Sequence, residues 1–353
     1  MMRMFPFLIL LLLRIPASAQ PQGMPQLPTT LSYGKMTDWY SPIVQDSFRT
    51  YVFLPPGYDT SSTSYPVLYL TDGDWLFTSA VSALANLKQD YLVREPIVVA
   101  IGYGNRENKR NRDLDPDNGG AAFLQVLKKE VIPWVNQHFR ANRDQLLYGY
   151  SMGGKFATFA LLSEPNLFSS VMIGAPADGG THLLPTAKKF TMHLPTIRSS
   201  VFMGVGSYEH ETVDHINRFQ SWCREHVPRA MITTYTAPAM NHGAAISAVL
   251  QEALRVNFAG LQKEIAVSLS TLKQYAGMYV SRTDSAMSHK VLFRDGQLYI
   301  LLHGYAGDYA LQLHAASPNT FFLKEFEQNS YTFSATGLRI RLSNGHTIEM
   351  SKK

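Results

Sequence analysis

Hydrophobic positions fall into three textures along the chain. The first twenty residues, MMRMFPFLILLLLRIPASAQ, start basic, carry a continuous apolar run from Phe5 to Leu13 and place small residues at Ala17 and Ala19. From about Ser41 to Leu261, short and continuously apolar runs alternate with longer stretches of helical period. After that the β-like runs are short and broken by turn residues. Each texture predicts a different element. A strand buried on both faces is apolar throughout, a half-buried strand alternates, and a surface helix repeats about every 3.6 residues.

In the central texture, RTYVFLP, YPVLYLTDG, PIVVAIGYG, DQLLYGY, SSVMIGA, SVFMGVG and AMITTYTA predict strands. Helical stretches lie around Leu76–Gln89, through GAAFLQVLKKEVIPWVNQHF, over GGKFATFALLS, from about Thr212 to His226 and from Ala245 to Leu261. Pro133 bends or interrupts the second of these, because its ring has no N–H and clashes with the preceding turn. Strands alternating with helices predict a mostly parallel, doubly wound α/β sheet. The third texture, from GMYVSR to LRIRLSNGHTIEMSKK, predicts a small barrel-like all-β domain with hairpin turns at Asp295-Gly296 and Asn344-Gly345. The chain thus divides into a secretory signal peptide (residues 1–19), an N-terminal extension (20–40), an α/β domain (41–261), a linker (262–273) and the β domain (274–353).

Composition narrows the function classes. Cleavage before Gln20 removes Arg3 and Arg14, so the formal charge falls from +5 to +3, which does not argue for nucleic acid. The N-terminal apolar run is too short for a comfortable bilayer span and Arg14 interrupts it. The mature chain is therefore expected to be exported, periplasmic or secreted, with no membrane span. Cys223 is the only cysteine, so no intrachain disulfide can form and stability rests on packing. The histidines show no HExxH or HxxxH spacing, and no metal or cofactor is expected. Oligomeric state is not legible here.

The candidate chemistry centres on Gly149-Tyr150-Ser151-Met152-Gly153, a GxSxG at the junction of an apolar strand and an Ala/Leu/Phe-rich helix. This is the setting of a nucleophile elbow, in which a tight strand-to-helix turn lifts the serine hydroxyl to the top of the sheet. A serine nucleophile needs a base, and the base an orienting acid, in chain order serine, acid, histidine. His242, in APAMNHGAAISAVL between a late strand and the last helix of the sheet domain, is the candidate base; His193, His210, His215 and His226 compete with it. Glu209, just past SVFMGVG, is the candidate acid, with Glu211 and Asp214 close enough to be mistaken for it. The oxyanion would be held by the backbone N–H groups of Met152 and, in LYLTDGDW, of Asp74. Trp75, Tyr103, Tyr150 and Tyr208 are candidates for an aromatic acyl or aryl pocket, with simple packing at the sheet ends as the competing and commoner reading.

Together these residues resemble a known family. SPIVQDSFRTYVFLPPGYDTSSTSYPVLYLTDGDW, RNRDLDPDNGGAAFLQVLKKEVIPWVNQHF, YGYSMGG and NHGAA are similar to the putative esterase family of α/β-hydrolases. That family includes esterase D, feruloyl and acetylxylan esterases, antigen 85 acyltransferases and trilactone siderophore esterases. The resemblance implies an α/β-hydrolase fold over about Ser41 to Leu261, with Ser151, His242 and Glu209 as triad and Asp74 and Met152 as oxyanion donors. RNRDLDP is closest to the siderophore-esterase form and implies that Arg112 meets an acidic or catecholate substrate; an ion pair of Arg112 with Asp113 or Asp115 is the competing reading. Trp75 and Tyr150 complete the expected substrate contacts. The tail, LKQYAGMYVSR to LRIRLSNGHTIEMSKK, resembles lipocalin-like β domains appended to secreted serine hydrolases. The expectation is an exported serine carboxylic-ester hydrolase acting through an acyl-enzyme on siderophore or other small esters. Feruloyl or acetyl-sugar hydrolysis and antigen 85-like acyl transfer are alternatives, and a non-catalytic binding protein on the same fold is the alternative of another class.

Overall fold

The computed structural model describes residues 34–192, 196–227, 231–260, 262–304, 307–342 and 345–353. The signal peptide read at 1–19 and the extension up to residue 33 lie outside the described residues, as do His193 and Asn344. Eight strands form the main sheet: β1 (Lys35–Ser41), β2 (Asp46–Phe53), β3 (Tyr65–Leu70), β4 (Ile97–Gly102), β5 (Ala141–Tyr150), β6 (Ser170–Gly174), β7 (Ser200–Gly206) and β8 (Ile232–Ala237). Their spatial order is β1-β2-β4-β3-β5-β6-β7-β8. The β1–β2 and β2–β4 pairs are antiparallel and every other pair is parallel. This is the sheet of an α/β-hydrolase.

Strands β3, β4, β6 and β7 are buried almost end to end, which explains their unbroken apolar runs. The edge strand β1 has the opposite character. Five residues of KMTDWYS are exposed, so no hydrophobic alternation marks the segment, and it was expected to belong to the extension. It forms because its backbone pairs in register with β2 from Lys35↔Val52 to Ser41↔Asp46.

Four helices frame the site: α1 (Gly73–Asp90), α2 (Met152–Ser163), α3 (His210–His226) and α4 (Ala245–Phe258). They follow β3, β5, β7 and β8. The helix around Pro133 is interrupted as its sequence predicts: α-helical turns over Gly120–Val126 and Ile132–His138 are separated by a π turn, Leu127–Val131. Pro133 cannot donate to the ladder, and the wider turn immediately before it absorbs the missing bond. Among the described residues no helix is long and apolar enough to cross a membrane.

The C-terminal strands close into an eight-stranded antiparallel barrel: β9 (Gly277–Ser281), β10 (Ser288–Arg294), β11 (Gln297–Gly304), β12 (Gly307–Ala315), β13 (Thr320–Leu323), β14 (Phe326–Phe333), β15 (Gly337–Arg341) and β16 (Thr347–Lys352). Asp295 and Gly296 turn β10 into β11 with φ of 53° and 78°, the left-handed pair that a two-residue hairpin requires. Tyr279, Ile300, Phe321, Phe333 and Met350 fill the interior. The segment expected as a plain linker carries a helix, Leu269–Tyr275, whose Ser268 hydroxyl caps it by accepting the Thr271 N–H at 3.2 Å. Glu327 on β14 accepts the Gln262 backbone N–H at 3.2 Å, and the Gln262 amide donates to the Glu327 carbonyl at 2.7 Å.

Candidate active site

The carboxyl ends of the parallel strands gather most of the candidate residues. Asp72 and Asp74 follow β3, Tyr103 follows β4, Ser151 follows β5, Glu209 follows β7 and His242 follows β8. A parallel sheet collects its loops at that end, which is where ligands bind in open α/β folds. Strand-end hydrogen bonds keep these loops in register: Ser151 N–H to Gly174 O (2.9 Å), Ala175 N–H to Gly204 O (2.7 Å) and Ser207 N–H to Ala237 O (2.9 Å).

Ser151 sits at φ 59°, ψ −116°, between the last residue of β5 and the first of α2. A residue with a Cβ adopts this conformation only under strain, of order 1–3 kcal/mol. Asp72, Ala175, Asp178 and Ala239, in neighbouring loops, also have positive φ. The flanking glycines are there for space. A Cβ on Gly149 would stand 2.1 Å from the Gly153 carbonyl oxygen, and one on Gly153 would stand 2.3 Å from Thr71 Oγ1. Gly149→Ala is therefore expected to destabilise the fold by about 1–3 kcal/mol in urea melts, the range for overpacking a core. Gly243→Ala, whose Cβ would meet nothing within 4 Å among the described residues, is expected to leave stability unchanged.

His242 Nδ1 lies 2.7 Å from Glu209 Oε2. The Glu209 side chain is 15% exposed and that of His242 46%, so the acid lies below and the imidazole faces outward. Glu209 precedes the first residue of α3, yet its carboxylate does not cap that helix. Its other oxygen accepts the Gly206 N–H at 3.3 Å. Glu211 lies instead beside Gly179, and Asp214 is exposed. Of the competing histidines, His215 and His226 point their Nδ1 atoms at carbonyl oxygens of their own helix, at 2.9 Å each.

The N–H groups of Asp74 and Met152 belong to the first turns of α1 and α2, where a helix leaves its amides without an internal acceptor. The two turns adjoin, since the missing Cβ of Gly153 would contact both Thr71 and Asp72. Two ionic clamps hold the β3–α1 turn. Arg110 grips the buried Asp72 carboxylate with two bonds, Nε–Oδ1 at 2.7 Å and Nη2–Oδ2 at 3.0 Å. The Asp74 carboxylate accepts the Tyr103 and Gly104 N–H groups at 2.7 and 2.8 Å and the Tyr51 hydroxyl at 2.6 Å. Burial, followed by Asp74, pushes the Tyr51 phenol up to about 12.

The expected substrate contacts divide. Trp75, in the first turn of α1, is 38% exposed, and Tyr208, next to Glu209, is 61% exposed. Tyr150 is buried instead: its hydroxyl donates to the His242 carbonyl at 2.6 Å and its ring lies 5.1 Å from the imidazole. Burial, with the Glu209 charge behind it, holds that phenol well above its usual range. Arg112 forms the ion pair of the competing reading. Its Nε and Nη2 meet Asp113 at 2.7 and 2.9 Å, and its Nη1 meets Asp46 at 2.7 Å. Nothing in the sequence marks Arg110, because its partner is 38 residues away and no local pattern joins them.

One turn beyond Ser151, buried Lys155 joins two mouth loops through Asp115 and Asp178, both at 3.0 Å. Burial, then the Lys155 charge, pushes nearby His182 down to about 4. Between its ordinary value of about 6.5 and that level, the unfolded chain binds the proton that the folded chain refuses. Stability from this group is complete above about pH 6.5 and declines as the pH falls towards 4, by up to about 3 kcal/mol. Urea melts across that window are expected to show the decline, and His182→Gln to flatten it.

The chain is similar to known proteins in sequence and in fold. The family profile described as Putative esterase matches residues 41–226, more than half of the 353-residue chain. The ferri-bacillibactin esterase BesA of Bacillus subtilis is 27% identical over 156 residues, 36% of this chain and 54% of that protein. The siderophore triacetylfusarinine C esterase of Aspergillus fumigatus is 32% identical over 128 residues, 32% of this chain and 44% of that protein. The chain thus matches about half the length of these two curated relatives. The crystal structure of the BES protein from Bacillus cereus superposes with a TM-score of 0.58 at 21% identity, covering 66% of this chain and 97% of that one, a likeness of fold.

Proposed function

This chain belongs to the putative esterase family and is a carboxylic-ester hydrolase, and from that premise we propose that it works as a serine esterase with a Ser151–His242–Glu209 triad. The observation that carries the triad is the 2.7 Å contact between His242 Nδ1 and Glu209 Oε2, with His242 packed against Tyr150, the residue that precedes the strained Ser151. With the Nδ1 proton donated to Glu209, His242 presents an unprotonated Nε2 that takes the Ser151 hydroxyl proton as Oγ attacks the ester carbonyl carbon. The Asp74 and Met152 N–H groups hold the oxyanion of the tetrahedral intermediate. Collapse breaks the ester C–O bond, and His242 returns the proton to the departing alcohol. Water then repeats the sequence on the acyl-Ser151 ester and releases the acid.

The proposed substrates are siderophore esters with aryl groups. Two curated relatives are named for siderophore esters, and Trp75 and Tyr208 offer exposed ring faces on which planar aryl groups can stack. The test is a panel of catecholate-trilactone, feruloyl, acetyl-sugar and p-nitrophenyl esters. The trilactone is expected to give the highest kcat/KM, and Trp75→Ala to raise KM for aryl esters more than for acetyl esters. A flat profile, or an acetyl-sugar preference, overturns the substrate assignment and leaves the triad untouched. The N-terminal pattern supports export with cleavage before Gln20, which N-terminal sequencing of the exported protein would check.

A further inference from the structure

A recess of about 310 Å³ opens at the edge of the sheet and includes none of the residues of the candidate active site. Its walls include Thr37, Trp39 and Tyr40 from β1, Thr50 from β2, and Glu130 and Trp134 from the interrupted helix. Strand register builds one wall: Thr37 faces Thr50 across the ladder, and the Trp39 indole donates to Thr50 Oγ1 at 2.8 Å while packing on Phe48. The helix builds the other. Glu130 lies in the π turn, Trp134 four residues further on, and such turns often occur at functional sites.

Glu130 is the anomaly. Both oxygens of its carboxylate are buried and neither has a hydrogen-bond partner among the described residues. Its neighbour Lys128 is committed to Glu164 at 2.8 Å, and no Lys, Arg or His is among the described residues lining the recess. A buried carboxylate is expensive unless a positive charge answers it. The surrounding surface is aromatic, and aromatic faces attract weakly hydrated organic cations. A hard metal ion would need about six oxygen ligands, whereas the side chains of the walls supply one carboxylate, the Tyr40 hydroxyl and two threonine hydroxyls, one of these already occupied by Trp39.

We propose that this recess binds a small, free alkylammonium cation, with Trp39, Tyr40 and Trp134 contacting its alkyl groups and Glu130 answering its charge. The volume lies at the small end of ligand pockets, which suits a compact ammonium compound.

Two of the four tryptophans line the recess, so tryptophan emission of the whole protein reports occupancy. Titration with tetramethylammonium and with choline is expected to saturate. The neutral isostere of choline, 3,3-dimethylbutan-1-ol, is expected to bind at least about tenfold more weakly. Glu130→Gln is expected to abolish that preference and Trp134→Ala to weaken all binding, with hydrolysis of a p-nitrophenyl ester unchanged in both. Without ligand, Glu130→Gln should melt at or above the wild-type temperature, because it removes an unanswered charge. Absence of saturation, equal affinity for the neutral isostere, unaltered cation binding by Glu130→Gln or a lower melting temperature for that variant would each overturn the proposal.

Discussion

Ser151→Ala is expected to lower kcat/KM for an activated ester by about 10⁴- to 10⁶-fold, the loss seen when a serine nucleophile is removed and only oxyanion and binding contributions remain. The folded structure should survive it. Alanine keeps the Cβ and the same backbone demand, so the melting temperature should match the wild type. Ser151→Gly separates strain from chemistry. Glycine accepts φ 59° without the strain that other residues carry there, so this variant is expected to be equally inactive yet no less stable than the parent. A fluorophosphonate probe supplies an assay independent of substrate: it should label the wild type at Ser151 and neither variant. Labelling elsewhere, or activity within tenfold of wild type in Ser151→Ala, would assign the nucleophile to another residue. Labelling of no residue at all would favour a binding protein on a hydrolase fold.

How much of this was legible in the sequence depends on the range of the interaction that builds each part. The elbow was legible because its motif is contiguous: Gly149 is kept from carrying a Cβ by the Gly153 backbone four residues on, although the clash that excludes a Cβ on Gly153 itself comes from Thr71, distant in sequence. Glu209 and His242 were legible one level further out. Each follows an apolar run that could be read as a strand, and parallel strands bring their carboxyl ends together wherever the intervening helices lie. The long-range clamps were not legible. The pair of Arg112 with adjacent Asp113 could be read from the sequence, but only tertiary packing sends Arg110 to Asp72 on the oxyanion turn and Arg112 to Asp46. Tyr150 was misplaced for a similar reason. An aromatic beside the nucleophile reads as a pocket wall, whereas the strand turns its ring inward and sets its hydroxyl under the His242 carbonyl. The edge strand β1 carries too little apolar surface to announce itself and is held through its backbone.

Glu209→Gln is the sharpest test of the site because it removes a charge while keeping the shape. The amide can offer its oxygen to His242 Nδ1–H, or its NH₂ group to an unprotonated Nδ1. The second arrangement puts the proton on Nε2, where the imidazole can no longer accept one from Ser151. Even in the first, the imidazolium that forms during attack has lost its counter-charge. The expected result is a fall in kcat of about 10²- to 10⁴-fold with KM little changed, since the interaction acts on the transition state rather than on substrate binding. Glu211→Gln and Asp214→Asn should stay close to wild type, because neither carboxylate is the one beside His242. Equal losses in Glu209→Gln and Asp214→Asn would mean that the loop rearranges around the substrate and the acid is shared. A loss in Asp214→Asn alone would transfer the role to Asp214 and leave Glu209 as a ligand of the Gly206 amide.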